Sequence, residues 1–147
     1  TWVHVSAGEV VSFRSFLTGE MAAGLAGGGT LSGRVAPRSP DASATRDVLR
    51  QAVDEGMSHP ARVAAQLFGL GLSDLSPEAA RARLDGLLIG QELAAARPYW
   101  LGQPVALIDG SPLAGAYAEA LGTQHVPLLR ADGARMTLEG LKAAWVA

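Results

Sequence analysis

Apolar residues recur at every second position in the first two runs of the chain. In "TWVHV", residues 1–5, Val3 and Val5 share one face and Trp2 and His4 the other. In "EVVSFRSFL", residues 9–17, Val11, Phe13 and Ser15 alternate with Val10, Ser12, Arg14 and Phe16. A period of two is that of a strand. The connection "SAGE", which contains Gly8, is short enough for a hairpin. Neither face of the second run is fully polar, so burial on both sides in places is expected.

The period then lengthens to that of a helix. Thr18 is expected to cap a helix starting near Gly19, with Glu20 in its first turn. Gly27, Gly28 and Gly29 stop it, and "LAGGGTLSG" reads as a flexible loop. The polar stretch "RVAPRSPDASATRD" follows, with Pro37 and Pro40; residues 35–46 are the candidate internal linker. Val48, Leu49, Ala52 and Val53 then form one apolar helix face, and Val63, Leu67 and Phe68 another. The longest helix begins at a Ser76 cap with Pro77 in first position and Glu78 behind it. Its stripe is Ala80, Leu84, Leu87, Leu88 and Ala94; Glu78, Asp85 and Glu92 are expected on its solvated side. Gly86 and Gly90 lie one turn apart, and two costly glycines at that spacing point to close approach by another backbone.

The last third alternates strand and helix. "PVALI" is a short apolar run of the kind buried on both faces. "SPLAGAYAEALG" is helical to Gly122, "HVPLL" is a second strand that Pro127 makes an edge or irregular one, and Thr137 is a cap for a final helix. Strand, helix, strand and helix at this spacing give a parallel pair with a helical crossover. The expected class is therefore α/β: a β-hairpin, a helical insertion and a C-terminal β-α-β-α unit.

Composition narrows the function classes. The chain has 147 residues, enough for one domain with a real core, and 48% of them are hydrophobic. A net charge of −2 gives no electrostatic reason to expect nucleic acid. The absence of cysteine removes disulfides, thiol nucleophiles and thiolate metal sites, and fits a reducing compartment. No apolar run approaches the ~20 residues of a membrane span, and Thr1–Val5 has neither part of a secretory signal. The chain lacks an initiator methionine and opens in mid-strand, which suggests a fragment.

Candidate chemistry concentrates at two turns. Gly110 stands at the carboxyl end of a strand, where ligands bind in open α/β sheets. It has no side chain to hold a nucleotide off the backbone, Ser111 and Pro112 can start the next helix, and the freed amides can face an anion or a polar ring. Asp109 repels phosphate, which favours a nucleoside over its phosphates. A well-capped connector explains the same residues. The second turn, "FLTGE", offers a hydroxyl, a glycine and a carboxylate after a strand, although helix capping accounts for them too. His4, His59 and His125 show no metal-ligand spacing, so no metal site is assigned. No G-x-S-x-G elbow is present, and Pro112 removes the amide that an oxyanion at Ser111 would need.

Several segments in order resemble the C-terminal half of the 2-keto-3-deoxygalactonate kinase (2-dehydro-3-deoxygalactonokinase) family. They are "WVHV" with "AGEVVSFRSFLTGEM", "LSGR" at 31–34, "LDGLLIGQEL" at 84–93 and "PVALIDGSPLAGAYAEAL" at 104–121. The resemblance implies a ribonuclease-H-like (actin-like ATPase) domain and ATP–Mg2+-dependent phosphorylation of a 2-keto-3-deoxy sugar acid in the cytoplasm. It implies that residues 1–147 are the nucleotide-binding half, inactive alone, with the catalytic residues in a missing N-terminal domain. By the same implication Gly110, Ser111, Pro112 and Leu113 resemble the adenosine-binding turn. Thr18, Gly19 and Glu20 match a T-G-E near the cleft, and Thr1 is what remains of a Gly-Thr-His turn. "LAGGGTLSG" departs from the family in carrying glycines where a His-Ser pair is usual. Two other readings stay open: a non-catalytic nucleotide-binding or interaction module, and an unrelated small α/β domain. A half-cleft would also leave apolar surface for a homodimer.

Overall fold

The computed structural model describes residues 1–39 and 41–146. Pro40, one of the two prolines of the expected linker, and Ala147 lie outside the described residues.

The hairpin forms as its alternation requires. Strands β1 (Trp2–Ser6) and β2 (Glu9–Arg14) pair antiparallel, with a register shift after His4. Ala7 and Gly8 both have positive φ at the turn, the conformation that matches the strand twist. The expected burial on both sides is absent. Val3, Val5, Val10 and Val11 are exposed, and Phe13 is 70% exposed. Only Trp2 and Phe16 reach the core, so the rest of the ribbon stands clear of it.

The helices form the bulk of the chain. They are α1 (Thr18–Gly27), α2 (Arg46–Ser58), α3 (Val63–Gly71), α4 (Pro77–Ala95) and the short α5 (Arg97–Trp100). Ser76 caps α4 by accepting from the Ala79 amide at 3.2 Å, and Pro77 takes its first position. The glycine reading holds. A Cβ on Gly86 would stand 2.7 Å from the Leu49 carbonyl oxygen, and one on Gly56 2.5 Å from that of Leu87. Gly90 meets the Val53 carbonyl in the same way. Helices α2 and α4 therefore cross with backbones in contact, and glycine is what permits it.

Helix α4 is the centre of the molecule. Leu84, Leu87 and Leu88 pack into one apolar cluster with Val63, Leu67 and Leu70 of α3. Ile89 and Leu93 pack into a second with Val53, Trp100, Leu113 and Leu121. Core on both sides leaves no solvated face beyond the first turn. Glu78 is exposed as expected, but Asp85 and Glu92 are each only 5% exposed. Ala94 is half-buried, and Leu93 takes the core position instead. Phe68, expected on the apolar face of α3, points out and is exposed.

Two expected loops are packed. In the glycine segment a single 3-10 turn (Gly29–Leu31) drives Leu31 into the first cluster. The segment around residue 36 is strapped across α4: the Ala36 amide donates to the Pro77 carbonyl at 2.9 Å, and Arg81 Nε donates to the Ala36 carbonyl at 2.7 Å.

Strands β3 (Val105–Asp109) and β4 (Leu128–Asp132) pair in parallel, joined by α6 (Ala114–Thr123), as the spacing predicts. Pro127 precedes β4, and its carbonyl accepts from Val105 N. The final helix α7 (Gly133–Val146) starts four residues before Thr137. Its cap is Asp132, whose Oδ1 accepts the Arg135 amide at 2.7 Å; Thr137 sits inside the helix and donates to the Gly133 carbonyl. The fold is mixed α/β, with two two-stranded sheets flanking a helical centre.

Candidate functional site

Parallel pairing puts the carboxyl ends of β3 and β4 side by side, with Asp109 opposite Asp132. Each strand ends in Asp-Gly, and the two turns touch. A Cβ on Gly133 would lie 2.9 Å from the Asp109 carbonyl oxygen and 3.2 Å from Gly110 Cα. Gly110, Ser111 and Pro112 are exposed at this edge, while Leu113 is buried in the second cluster. Helix α6 begins at Ala114, later than the sequence suggests. The reason is a local turn: Ser111 Oγ accepts the Leu113 amide at 3.2 Å and its carbonyl accepts the Ala114 amide at 3.1 Å. These two amides are spoken for, which weakens the turn as an anion cradle and leaves its apolar and backbone faces. Asp109 is ion-paired to Arg130 of β4, so its charge does not stand alone.

The Thr18–Glu20 turn lies against this one. A Cβ on Gly19 would be 3.9 Å from Leu113 Cδ1, so the two candidate turns are neighbours. Gly19 and Glu20 are exposed. Thr18 does not cap α1; it is 6% exposed and its hydroxyl donates to Glu92 Oε2. That hydroxyl is therefore committed to the protein. Thr1 is exposed and its Oγ1 lies 2.7 Å from Ser15 Oγ on the hairpin.

Glu92 was expected in solvent and instead gathers three donors. Trp2 Nε1 donates to Oε1 at 2.8 Å, and the Tyr117 hydroxyl donates to Oε2 at 2.6 Å beside that of Thr18. Burial, and secondly the hydrogen bond and charge of Glu92, push the Tyr117 phenol far above its ordinary range. Asp85 is likewise paired: Arg38 Nε and Nη2 bind its two oxygens at 2.9 and 2.8 Å. Arg81 Nη1 stands 3.8 Å from Asp85. Burial pushes the Arg81 guanidinium below its ordinary value and Asp85 opposes that. The sequence carried one signal of both carboxylates: the run "GLLIG" between them has no polar face to give to water.

A cavity of about 520 Å3 opens beside the Gly110 turn, within the range of small-molecule sites. Residues 37–39, 41–46 and α4 form one side, and Pro112, Gly115 and Ala116 the other. Its lining carries three arginines, Arg38, Arg46 and Arg81, against four carboxylates, Asp41, Glu78, Asp85 and Glu119. Arg38 and Arg81 face Asp85, and Arg46 lies 3.7 Å from Glu119. Arg81 Nη1 is sealed from solvent next to Asp85 and has no hydrogen-bond partner among the described residues. A partly apolar pocket with one carboxylate more than it has guanidinium groups suits a base and sugar better than a chain of phosphates. A second hollow, about 420 Å3, lies along the C-terminal half of α6 at Arg50, Glu119 and Thr123; it is open to solvent and touches none of the turn residues.

Comparison with known proteins identifies the lineage of these features. The sequence model of the family described as 2-keto-3-deoxy-galactonokinase matches residues 1–144. A crystal structure of a Sinorhizobium meliloti protein, provisionally named a 2-dehydro-3-deoxygalactonokinase, is similar at 32% identity and a TM-score of 0.79. The match covers 97% of this chain and 47% of that one, so the chain spans about half the length of its structural relative. No curated protein matches.

Proposed function

Because the chain belongs to the 2-keto-3-deoxy-galactonokinase family over residues 1–144, we propose that it is the nucleotide-binding half of an ATP-dependent sugar-acid kinase. The reaction is phosphorylation of 2-dehydro-3-deoxy-D-galactonate at its terminal hydroxyl, giving the 6-phosphate. The observation that carries this reading is the meeting of the cavity with the Gly110–Leu113 turn through Pro112 and the start of α6. The adenosine end of ATP lies along that turn, Gly110 letting it approach the backbone. Gly19 and Glu20, exposed beside Leu113, face the phosphate side of the cleft.

Phosphoryl transfer also needs a base for the attacking hydroxyl and a magnesium ion. Magnesium on a nucleotide is held by one or two carboxylates together with the phosphates, and among the described residues no group of three or more His, Asp or Glu could form an all-protein site for it. We place the catalytic residues in an N-terminal domain that closes over the sugar. The same proposal reads the parallel pair and the hairpin as parts of a ribonuclease-H-like sheet, and puts the enzyme in the cytoplasm. Among the described residues no helix is long and apolar enough to cross a membrane.

A non-catalytic interaction module is the second reading, favoured by exposed apolar side chains on the hairpin and by Leu138, Leu141 and Trp145 of α7. An assay of ADP release with the sugar acid separates the two. The chain alone should be silent, and a family N-terminal half supplied in trans should restore turnover. Turnover by the chain alone would contradict the division of labour, and silence in both arms with nucleotide bound would favour the module.

A further inference from the structure

Glu92 is an expensive residue for the buried last turn of a helix. Its carboxylate is 5% exposed and its three partners, Trp2, Thr18 and Tyr117, are all neutral donors. Three donors onto two oxygens suit a carboxylate, which only accepts. A buried charge without a cation costs desolvation that well-packed apolar side chains would avoid. What it obtains is geometric. The three donors come from three elements: Trp2 from β1, Thr18 from the first residue of α1, and Tyr117 from the first turn of α6. Thr18 precedes Gly19 and Glu20 directly. Tyr117 lies one turn after Leu113, and its amide donates to the Leu113 carbonyl at 2.9 Å. The one carboxylate thus binds the helix behind each candidate turn, where Leu113 meets Gly19. Its own helix is held against α2 by the glycine contacts, so the reference frame is rigid.

We infer that Glu92 is a positioning residue for the nucleotide site, fixing the Thr18–Glu20 turn against the Gly110–Leu113 turn. This rests on the nucleotide reading given above. It touches no ligand itself; it acts through Thr18 and Tyr117. Asp85, two turns earlier on α4, has the matching task at the cavity's other wall, where it holds Arg38.

The experiment pairs amide hydrogen exchange on the free chain with ADP–Mg titration, for Glu92→Gln, Tyr117→Phe and the unaltered protein. Glu92→Gln should raise exchange about tenfold in the first turns of α1 and α6 together, leave α2 unchanged, and weaken ADP about tenfold. Tyr117→Phe should loosen the α6 turn alone. Uniform loosening of all helices, or no change at either turn, would overturn the inference, because a purely structural carboxylate gives one of those two results. So would loosened turns with unaltered ADP affinity. If the unaltered chain binds no ADP, the nucleotide reading falls, and the exchange pattern alone decides whether Glu92 couples the turns. Should Glu92→Gln not fold, Tyr117→Phe carries the test. Loosening confined to α6 with weakened ADP supports the inference, and any other pattern overturns it.

Discussion

The α2–α4 crossing and the β1–β2 hairpin lie in one small molecule and are built on opposite terms. At the crossing, three glycines let two backbones touch, and Ala52, Val53, Leu87 and Ile89 are sealed around them. On the hairpin, Val3, Val5, Val10, Val11 and Phe13 are equally apolar and remain exposed. A two-stranded ribbon is marginal in isolation. The hairpin persists because Trp2 and Phe16 anchor it and because Trp2 is bonded to Glu92. Packing therefore specifies the helical centre, whereas a few polar and aromatic anchors specify the sheet. Glu92 stands where the two regimes meet, carried by α4 and bonded to Trp2 of the hairpin.

That contrast can be broken by substitution. Gly90→Ala would push a methyl group into the Val53 carbonyl and should lower the unfolding free energy by about 3 kcal/mol in urea. Gly24→Ala in α1, where a Cβ meets nothing within 4 Å, should instead be neutral or stabilising. An equal loss from both would mean that close approach is not what the glycines serve. Asp85→Ala leaves Arg38 and Arg81 without their partner. Because Arg38 keeps some solvent contact, a loss of about 2 kcal/mol is expected, with the cavity wall at residues 36–38 loosening in hydrogen exchange.

Tyr117 gives a pH signature of similar origin. The folded state raises its phenol above the unfolded value, so folded chain keeps the proton where unfolded chain loses it. Its contribution is fully present below pH ~10 and is lost as pH rises beyond that, at most about 1.4 kcal/mol per pH unit. Tyr117→Phe should flatten that slope in denaturation curves taken between neutral and strongly alkaline pH. Phe13→Ser should produce the smallest effect, within about 0.5 kcal/mol, because the residue is 70% exposed. A loss of several times that would show the hairpin buried in solution, against a second copy for example.

Local signals made much of the fold readable in advance. Ser76 and Pro77 marked the start of α4, Gly86 and Gly90 marked its contact with α2, and the strand–helix–strand rhythm marked the parallel pair. The site was half readable. The Gly110 turn sits at a strand end as expected, but its amides are bound by Ser111. Asp85 and Glu92 are buried where the pattern suggests solvent, because periodicity fixes which residues share a helix face, not whether that face meets water. Their partners Arg38, Thr18 and Trp2 lie 47, 74 and 90 residues away in sequence, beyond any local pattern. Helix α7 was placed late because Asp132 caps it from the end of a strand, while Thr137 offered the more familiar signal.

The most direct test of the central claim is calorimetric titration of ATP–Mg into the chain and into Gly110→Val, with folding verified by circular dichroism. A Cβ at Gly110 meets only Gly133 Cα, at 3.9 Å, so the valine should fold normally and obstruct only the ligand. Saturable binding to the unaltered chain and its loss in the variant are expected. Equal binding by both proteins would contradict a nucleotide site at Gly110, as would none by the folded chain even with a family N-terminal half supplied in trans.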